Sequence, residues 1–308
     1  MTTPQPEKIN CGAFSGETEQ VTCPVCQPAP PLPRLVFQKA GRVAIWQCPG
    51  CELMYASPRF TEKSLLAIYE NPAFINEDDS VLFDNWSYDK WRQSGHSSFV
   101  TSQLKVDLLR QFVKKTERVL DVGCAMGFFC LEASRQGYAA EGLEPSRMLA
   151  SMARDLIKAP VIHNALIEDF APGYRYNGIM LWDVLEHVYD PVGLICRCHA
   201  LTEAGGYLFL QVPNFEGLAD RFKTFLCRHH LKKSDFSHFG FPWHVYSFNR
   251  VSLTKLLNKA GYEPLRFESW INAVKDGSRN PVARLADALM RQRCLSDYIT
   301  CVARKIGE

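Results

Sequence analysis

The chain has 308 residues, 46% of them hydrophobic and 12% aromatic, which suffices for one large domain with an appendage or for two modest domains. The formal net charge of +2 gives no global electrostatic basis for binding nucleic acid or a membrane surface. No apolar run approaches the roughly 18–20 residues that are needed to cross a bilayer.

Residues 1–22 are polar and lack the basic and apolar regions of a secretory signal, so they predict a flexible tail. The chain contains 12 cysteines. Because no export signal is present, we expect these thiols to be reduced and the protein to be cytoplasmic.

Residues 23–58 are expected to form a small zinc ribbon. Two Cys-x-x-Cys pairs, separated by roughly twenty residues, supply four thiolates for one tetrahedral ion: Cys23, Cys26, Cys48 and Cys51. The apolar runs at 35–37 and 43–46 predict a hairpin between the pairs. A segment this small cannot bury a core of its own, so a structural metal would substitute for one. Accidental cysteines or a redox pair are the alternatives.

Residues 59–115 predict a helical connector or cap. Thr61 precedes a run with spaced apolar positions and predicts an N-capped helix. An irregular aromatic stretch follows, and then apolar positions between 106 and 112 predict a second helix. Most of these side chains are expected to pack in a core or between domains.

From residue 116 to 308, strands and helices alternate, which predicts a parallel sheet with crossover helices. Insertions at 215–242 and 271–295 interrupt this alternation. The first insertion predicts either a solvated amphipathic helix or a substrate lid whose cations meet a phosphate or carboxylate. The second predicts a helix that forms either a lid or a homodimer contact.

The run VLDVGCAMGFF at 119–129 predicts a buried strand, a turn of small residues and the start of a helix. Gly123 permits a positive φ and the close approach of a ligand, and Gly127 permits close packing of the next helix. The glycine spacing departs from the G-x-G-x-x-G of dinucleotide folds, and no lysine follows as it does in a P-loop. The pattern therefore favours a loop for an adenosyl group without phosphates.

This run resembles the first motif of class I S-adenosylmethionine-dependent methyltransferases, in which a glycine usually stands at the position of Ala125. Since alanine is the smallest replacement, we expect cofactor binding to be kept provided that φ of Ala125 is negative. The segments WDVLEHVYDP at 182–191 and HVYSFN at 244–249 resemble further motifs of the same family. The cysteine pairs resemble the ribbon found ahead of many bacterial members.

The resemblance implies an α/β fold with a Rossmann-like, seven-stranded sheet whose last strand is antiparallel, and S-adenosylmethionine as the cofactor. Glu144, about 20 residues beyond the glycine turn, would accept hydrogen bonds from the ribose hydroxyls. Leu166 or Ile167 would lie against the adenine, and Glu168 or Asp169 would bind its amine. The expected cofactor contacts are Asp121, Gly123, Cys124, Ala125, Gly127, Glu144, Pro145, Leu166, Ile167, Glu168, Trp182, Asp183 and Tyr88.

At the methionine end of the cofactor, Tyr88 and Trp91 are the candidates for a residue that closes over the site. Three side chains in the matched segments are candidate bases: His187, His244 and Tyr246. A structural role for His187 is equally open, because many family members carry this histidine whatever their substrate.

The expected function is methyl transfer to the oxygen or carbon of a small-molecule acceptor, such as a nucleotide-linked sugar or another metabolite. RNA methylation and a non-catalytic, cofactor-binding scaffold are the alternatives. The near-neutral charge speaks against nucleic acid, and no membrane partner is expected.

Overall fold

The computed structural model describes residues 8–11, 14–28, 30, 32–39, 43–69, 97–157, 160–228, 239–270, 290 and 292–307. The chain divides into two compact units. The first comprises Met1–His96 and Phe222–Ser247, and the second comprises Ser97–Arg221 and Phe248–Glu308.

The strands are β1 Lys8–Cys11, β2 Phe14–Glu19, β3 Arg34–Lys39, β4 Val43–Gln47, β5 Met54–Ser57, β6 Arg59–Phe60, β7 Arg118–Val122, β8 Ala139–Leu143, β9 Val161–His163, β10 Tyr176–Trp182, β11 Thr202–Pro213, β12 Tyr246–Ser247, β13 Tyr262–Trp270 and β14 Tyr298–Lys305. The helices are α1 Glu62–Tyr69, α2 Ser97–Leu109, α3 Phe128–Arg135, α4 Arg147–Ile157, α5 Pro191–Leu201, α6 Leu218–Arg228 and α7 Arg250–Lys259.

The first unit contains two small antiparallel sheets. One has the order β12-β5-β4-β3, and it includes the hairpin predicted between the cysteine pairs, which is thereby confirmed. The other has the order β1-β2-β6.

The hairpin of β1 and β2 lies where the sequence predicts a flexible tail. The charged Glu19 at its end is paired with Arg59, whose Nε lies 2.8 Å from Glu19 Oε1. Thr18 and Glu19 also pair with β6 along the backbone. The stabilising partners lie about 40 residues further along the chain, so the polar composition of the segment gives no sign of them.

The second unit is built on a seven-stranded sheet in the order β13-β14-β11-β10-β7-β8-β9. The strands from β11 to β9 are parallel, whereas β14 runs antiparallel to both β11 and β13. The α/β class and the antiparallel last strand predicted from the sequence are therefore confirmed. The central strand β10 is buried over most of its length, as a strand covered on both faces should be.

The core beside this sheet joins α2, α3 and five of the strands. Its buried members include Leu109 of α2, Val119 of β7, Met180 of β10 and Phe209 of β11. Helix α2 thus belongs to the second unit, although the sequence places its residues in the 59–115 connector. Tyr88 and Trp91 lie outside the described residues, as does most of the 271–295 insertion.

Helix starts in the second unit follow from local side chains. Asp190 accepts a hydrogen bond from Gly193 N at 2.9 Å, and Pro191 occupies the first turn of α5. Asn249 and Ser252 form a reciprocal capping box at the start of α7. Among the described residues, no helix combines the length and apolar character needed to cross a membrane.

Candidate functional site

In the turn between β7 and α3, three small residues adopt left-handed backbone conformations. The φ angles are 72° at Gly123, 46° at Ala125 and 70° at Gly127. A Cβ atom at Gly123 would lie 2.7 Å from Val184, and one at Gly127 would lie 2.7 Å from Ile157. The glycines are therefore needed both for their conformation and for close packing.

The φ of Ala125 is positive, whereas alanine was expected to replace the usual glycine without loss of cofactor binding only with a negative φ. A left-handed backbone costs an L-residue with a Cβ about 1–2 kcal/mol relative to the right-handed region. Its amide nitrogen donates a 3.0 Å hydrogen bond to Glu144 Oε2, which holds this conformation in place. Because alanine has a small side chain, this strain is modest. The hydrogen bond to Glu144 stabilises the left-handed conformation of Ala125.

Glu144 lies at the carboxyl end of β8 and is only 6% exposed. One carboxylate oxygen accepts from Ala125 N, and the other accepts from Ser146 N at 2.8 Å. Burial raises the pKa of Glu144, and these two backbone hydrogen bonds oppose the rise. A carboxylate offers about four acceptor positions, so its remaining lone pairs can accept the two hydroxyls of a ribose.

Asp121 lies at the end of the neighbouring strand and is buried. Cys130 Sγ donates to its Oδ2 at 3.8 Å, whereas its Oδ1 has no hydrogen-bond partner among the described residues. Burial raises the pKa of Asp121 to about 7, and the nearby Lys105 opposes this rise. A buried carboxylate with an unmet oxygen suits a ligand that carries positive charge.

The loop after β9 carries the predicted adenine contacts. Leu166 is 54% exposed and Ile167 only 5%. Glu168 and Asp169 are both exposed. Pro145 is exposed on the adjacent loop, to which Asn164 is tied by a 2.9 Å hydrogen bond to its carbonyl oxygen. The structure thus brings these two predicted segments together.

The end of β10 supplies Trp182 and Asp183. Lys105 Nζ lies 4.9 Å from the centre of the Trp182 ring. Asp183 has a φ of 59°, and its two carboxylate oxygens accept from Gln211 Nε2 at 3.2 and 3.1 Å. Asp121 is the penultimate residue of β7, whereas Glu144 and Asp183 directly follow β8 and β10. All three predicted residues therefore lie at the carboxyl ends of adjacent parallel strands, where α/β proteins bind ligands.

The three candidate bases are divided between the units. His187 lies in the second unit, with Nε2 3.8 Å from Glu186 Oε1. Burial, and secondarily Asp183, raise the pKa of Glu186 well above its ordinary value. His244 and Tyr246 lie in the first unit, where the buried Tyr246 hydroxyl accepts a 3.0 Å hydrogen bond from Arg59 Nη1. A catalytic role for each stays a prediction.

The four cysteines of the first unit converge. Their sulfur atoms all lie within 4.8 Å of one another, and all four residues are buried. Sulfurs around a tetrahedral zinc, with Zn–S near 2.3 Å, lie about 3.8 Å apart. A Cβ atom at Gly50 would lie 3.1 Å from Cys26 Sγ, so this glycine leaves room for the sulfurs. The donor set and its convergence fit a closed, structural zinc site.

Some residues of the site carry no signal in the sequence. Lys105 is a single lysine on a helix, and Gln211 a polar residue within a strand. Asn164 and Arg197 are also ordinary surface residue types. Each becomes informative only through contacts with residues that are distant in sequence.

The chain is similar to known methyltransferases. A family model described as "Methyltransferase domain" matches residues 88–266. The ubiquinone biosynthesis O-methyltransferase of Coxiella burnetii is 26% identical over 148 residues, which are 46% of this chain and 63% of that protein. The protein of the same name from Bradyrhizobium diazoefficiens is 30% identical over 103 residues, covering 32% of this chain and 40% of its own. The chain therefore spans less than two thirds of the length of these curated relatives.

Among solved structures, the plantazolicin methyltransferase BpumL in complex with SAH aligns with a TM-score of 0.51. The sequence identity is 14%, and the alignment covers 76% of this chain and 93% of that one. At this identity the likeness shows the fold alone.

We predict that Ala125→Gly raises the free energy of unfolding by up to about 1 kcal/mol, because relief of the left-handed strain outweighs the added freedom of the unfolded chain. Chemical denaturation measures this change. The matched control is Ala133→Gly in helix α3, which should lower stability by about 1 kcal/mol or more. Equal losses in both variants would contradict the strain at Ala125.

Asp121 predicts a pH dependence of stability. Burial raises the pKa of Asp121 from its ordinary value of 3.8 to about 7. Between these two pH values the folded chain therefore keeps a proton that the unfolded chain releases. This contribution to stability is present below pH 4 and is lost as pH rises through 7. Asn does not titrate, so Asp121→Asn lacks this loss. Between pH 5 and pH 8 the melting temperature of the variant should therefore rise relative to that of the wild type. A constant difference would contradict the raised pKa.

Proposed function

Since the chain belongs to the methyltransferase domain family, we propose that it transfers the methyl group of S-adenosylmethionine to a hydroxyl of a small-molecule acceptor. The observation that carries the proposal is the position of Glu144. Its buried carboxylate is fixed by Ala125 N of the glycine turn and by Ser146 N. The acceptor positions that remain on this carboxylate would receive the ribose hydroxyls of an adenosyl group placed beside the turn.

The other predicted cofactor contacts support the same ligand. The buried Asp121 supplies an unmet carboxylate oxygen near the turn, which suits the positive charge of the cofactor's methionine part. The loop with Leu166, Ile167 and Glu168 would hold the adenine. The names of the relatives, ubiquinone biosynthesis O-methyltransferase, favour oxygen as the acceptor atom and a small molecule as the substrate class.

When bound, S-adenosylmethionine supplies an already activated methyl electrophile. The chain's contribution is then to hold the acceptor oxygen in line with the methyl group, an effect worth up to about 7–11 kcal/mol. His187 is the candidate that would take the proton from the acceptor hydroxyl, which adds roughly 10²–10⁴-fold to the rate. His244 and Tyr246 remain the alternatives for this role.

Cofactor binding is the first test of the proposal. S-adenosylhomocysteine at ~100 times its dissociation constant should stabilise the folded chain by about 2.7 kcal/mol, whereas NADH should not. Thermal unfolding with each ligand measures the difference. Stabilisation by NADH alone would instead indicate a dinucleotide enzyme.

Methyl transfer is tested with labelled S-adenosylmethionine and a panel of phenols and sugar nucleotides as acceptors. The protein is treated with ribonuclease beforehand, so that RNA cannot serve as the acceptor. His187→Ala should lower kcat by about 10²–10⁴-fold while the Kd of S-adenosylhomocysteine changes little. The same substitution at His199, whose ring packs against Tyr262 with 5.3 Å between the ring centres, is the matched control and should leave kcat largely intact. Full activity of a His187→Ala/His244→Ala double variant would remove histidine base catalysis from the mechanism.

We also propose that the cysteine cluster of the first unit holds one structural zinc ion. Elemental analysis should find one zinc per chain, and Cys48→Ser should lose the metal and lower the melting temperature, because structural zinc contributes on the order of 10–16 kcal/mol in finger peptides. Cys196→Ser is the control, since Cys196 is exposed on helix α5. Metal retention by Cys48→Ser would contradict the four-thiolate site.

A further inference from the structure

The loop from Asn164 to Phe170 is short and irregular, yet it is tied down at both ends by side chains. Within the loop, Asp169 N donates to Leu166 O and Phe170 N donates to Ile167 O, at 3.2 and 3.3 Å. These two turn contacts are near the upper limit of hydrogen-bond distance. The loop's own backbone therefore does little to fix its conformation.

At the start of the loop, the side-chain amide of Asn164 bridges to the neighbouring strand connection. Its Nδ2 donates to Glu144 O and to Pro145 O, both at 2.9 Å. Glu144 N in turn donates to His163 O at 2.9 Å. A hydrogen bond thus links the backbone of Glu144, whose carboxylate is the proposed ribose acceptor, to Asn164, the first residue of the 164–170 loop.

At the far end of the loop, Arg197 reaches from helix α5. Its Nε donates to Ile167 O at 3.1 Å, and its Nη2 donates to Phe170 O. A guanidinium has a planar fork of donors, so two bonds from one side chain fix both the position and the orientation of the loop backbone. The carbonyl groups that it binds flank Glu168 and Asp169, the two candidates for the adenine amine.

Resting on the proposed function, we infer that Arg197 and Asn164 are positioning residues that hold the 164–170 loop in the conformation that recognises adenine. Neither side chain needs to touch the cofactor. Arg197 aligns the part of the loop next to the adenine amine, and Asn164 sets the distance between this loop and Glu144. Preorganisation of this kind lowers the conformational cost of binding and sharpens discrimination.

Two ligands that differ only at the adenine amine distinguish a positioning role of Arg197 and Asn164 from a general effect on stability. S-adenosylhomocysteine carries the 6-amino group of adenine, and S-inosylhomocysteine carries an oxo group at the same place. A loop that reads the amine favours the first ligand, and a loop that has lost its alignment does not. The ratio of the two dissociation constants therefore reports on loop geometry, whereas a purely structural loss weakens both ligands alike.

The experiment measures both dissociation constants by titration calorimetry for the wild type, Arg197→Gln and Asn164→Ala. The wild type should prefer the adenosyl ligand. Each variant should bind S-adenosylhomocysteine about tenfold more weakly, in line with the loss of two hydrogen bonds, and its preference over the inosyl ligand should fall towards one.

Arg154→Gln is the matched control. Arg154 Nε donates to Ile162 O at 3.0 Å, so this arginine binds the backbone of strand β9 and not the loop. The control should keep the wild-type preference even where its melting temperature falls. An unchanged preference in Arg197→Gln and Asn164→Ala would overturn the positioning role, whereas failure of the wild type to bind either ligand would overturn the proposed function itself. Should Arg197→Gln not fold, Asn164→Ala decides the question alone.

Discussion

The candidate site of the second unit depends on one carboxylate. Glu144 accepts hydrogen bonds from Ala125 N and Ser146 N, which connects the glycine turn after β7 with the loop after β8. The turn would otherwise carry an unpaired amide on a residue held in a left-handed conformation. A buried carboxylate is unfavourable unless hydrogen bonds compensate for its desolvation. The two backbone donors provide part of that compensation, and the remaining acceptor positions define what the site can bind.

The surrounding acids reinforce this arrangement. Asp121 near the end of β7 and Asp183 just after β10 lie at the carboxyl ends of adjacent strands. Lys105 opposes the rise in the pKa of Asp121, and Gln211 donates hydrogen bonds to Asp183; the sequence singles out neither residue. A sheet edge rich in carboxylates suits a ligand that brings both hydroxyl groups and positive charge. The first unit differs from the second, because it contains two small antiparallel sheets and four buried cysteines whose sulfur atoms converge, as in small domains that a metal stabilises in place of a large core.

The alternation of apolar strand runs and helices is a local signal, and it predicted the parallel strands of the second unit. The number of strands and the antiparallel β14 were implied by the resemblance to class I methyltransferases, and the structure has both. The cysteine pairs likewise predicted a cluster that the structure forms. The resemblance, together with the spacing beyond the turn, predicts Glu144 as the ribose contact, and its hydrogen bond to the turn backbone supports that proposal.

Features that depend on distant partners could not be predicted. The hairpin of β1 and β2 is held by Arg59, far along the chain, while its composition indicates a tail. The sign of φ at Ala125 depends on the hydrogen bond to Glu144, and a motif does not contain that information. The loop contacts of Arg197 and Asn164 are of the same kind. The acceptor-binding part of the site, which the candidate bases would serve, is the part with the weakest sequence signals.

The central claim is that the Glu144 carboxylate binds the ribose of an adenosyl cofactor. Its most direct test is a thermodynamic cycle in which calorimetry measures the binding of S-adenosylhomocysteine and its 2′,3′-dideoxy analogue to the wild type and to Glu144→Ala. Hydrogen bonds to a charged group contribute about 1.5–3 kcal/mol each, so the wild type should prefer the hydroxylated ligand by at least about tenfold. Glu144→Ala should bind the two ligands almost equally. A wild-type preference that persists in Glu144→Ala would contradict the account.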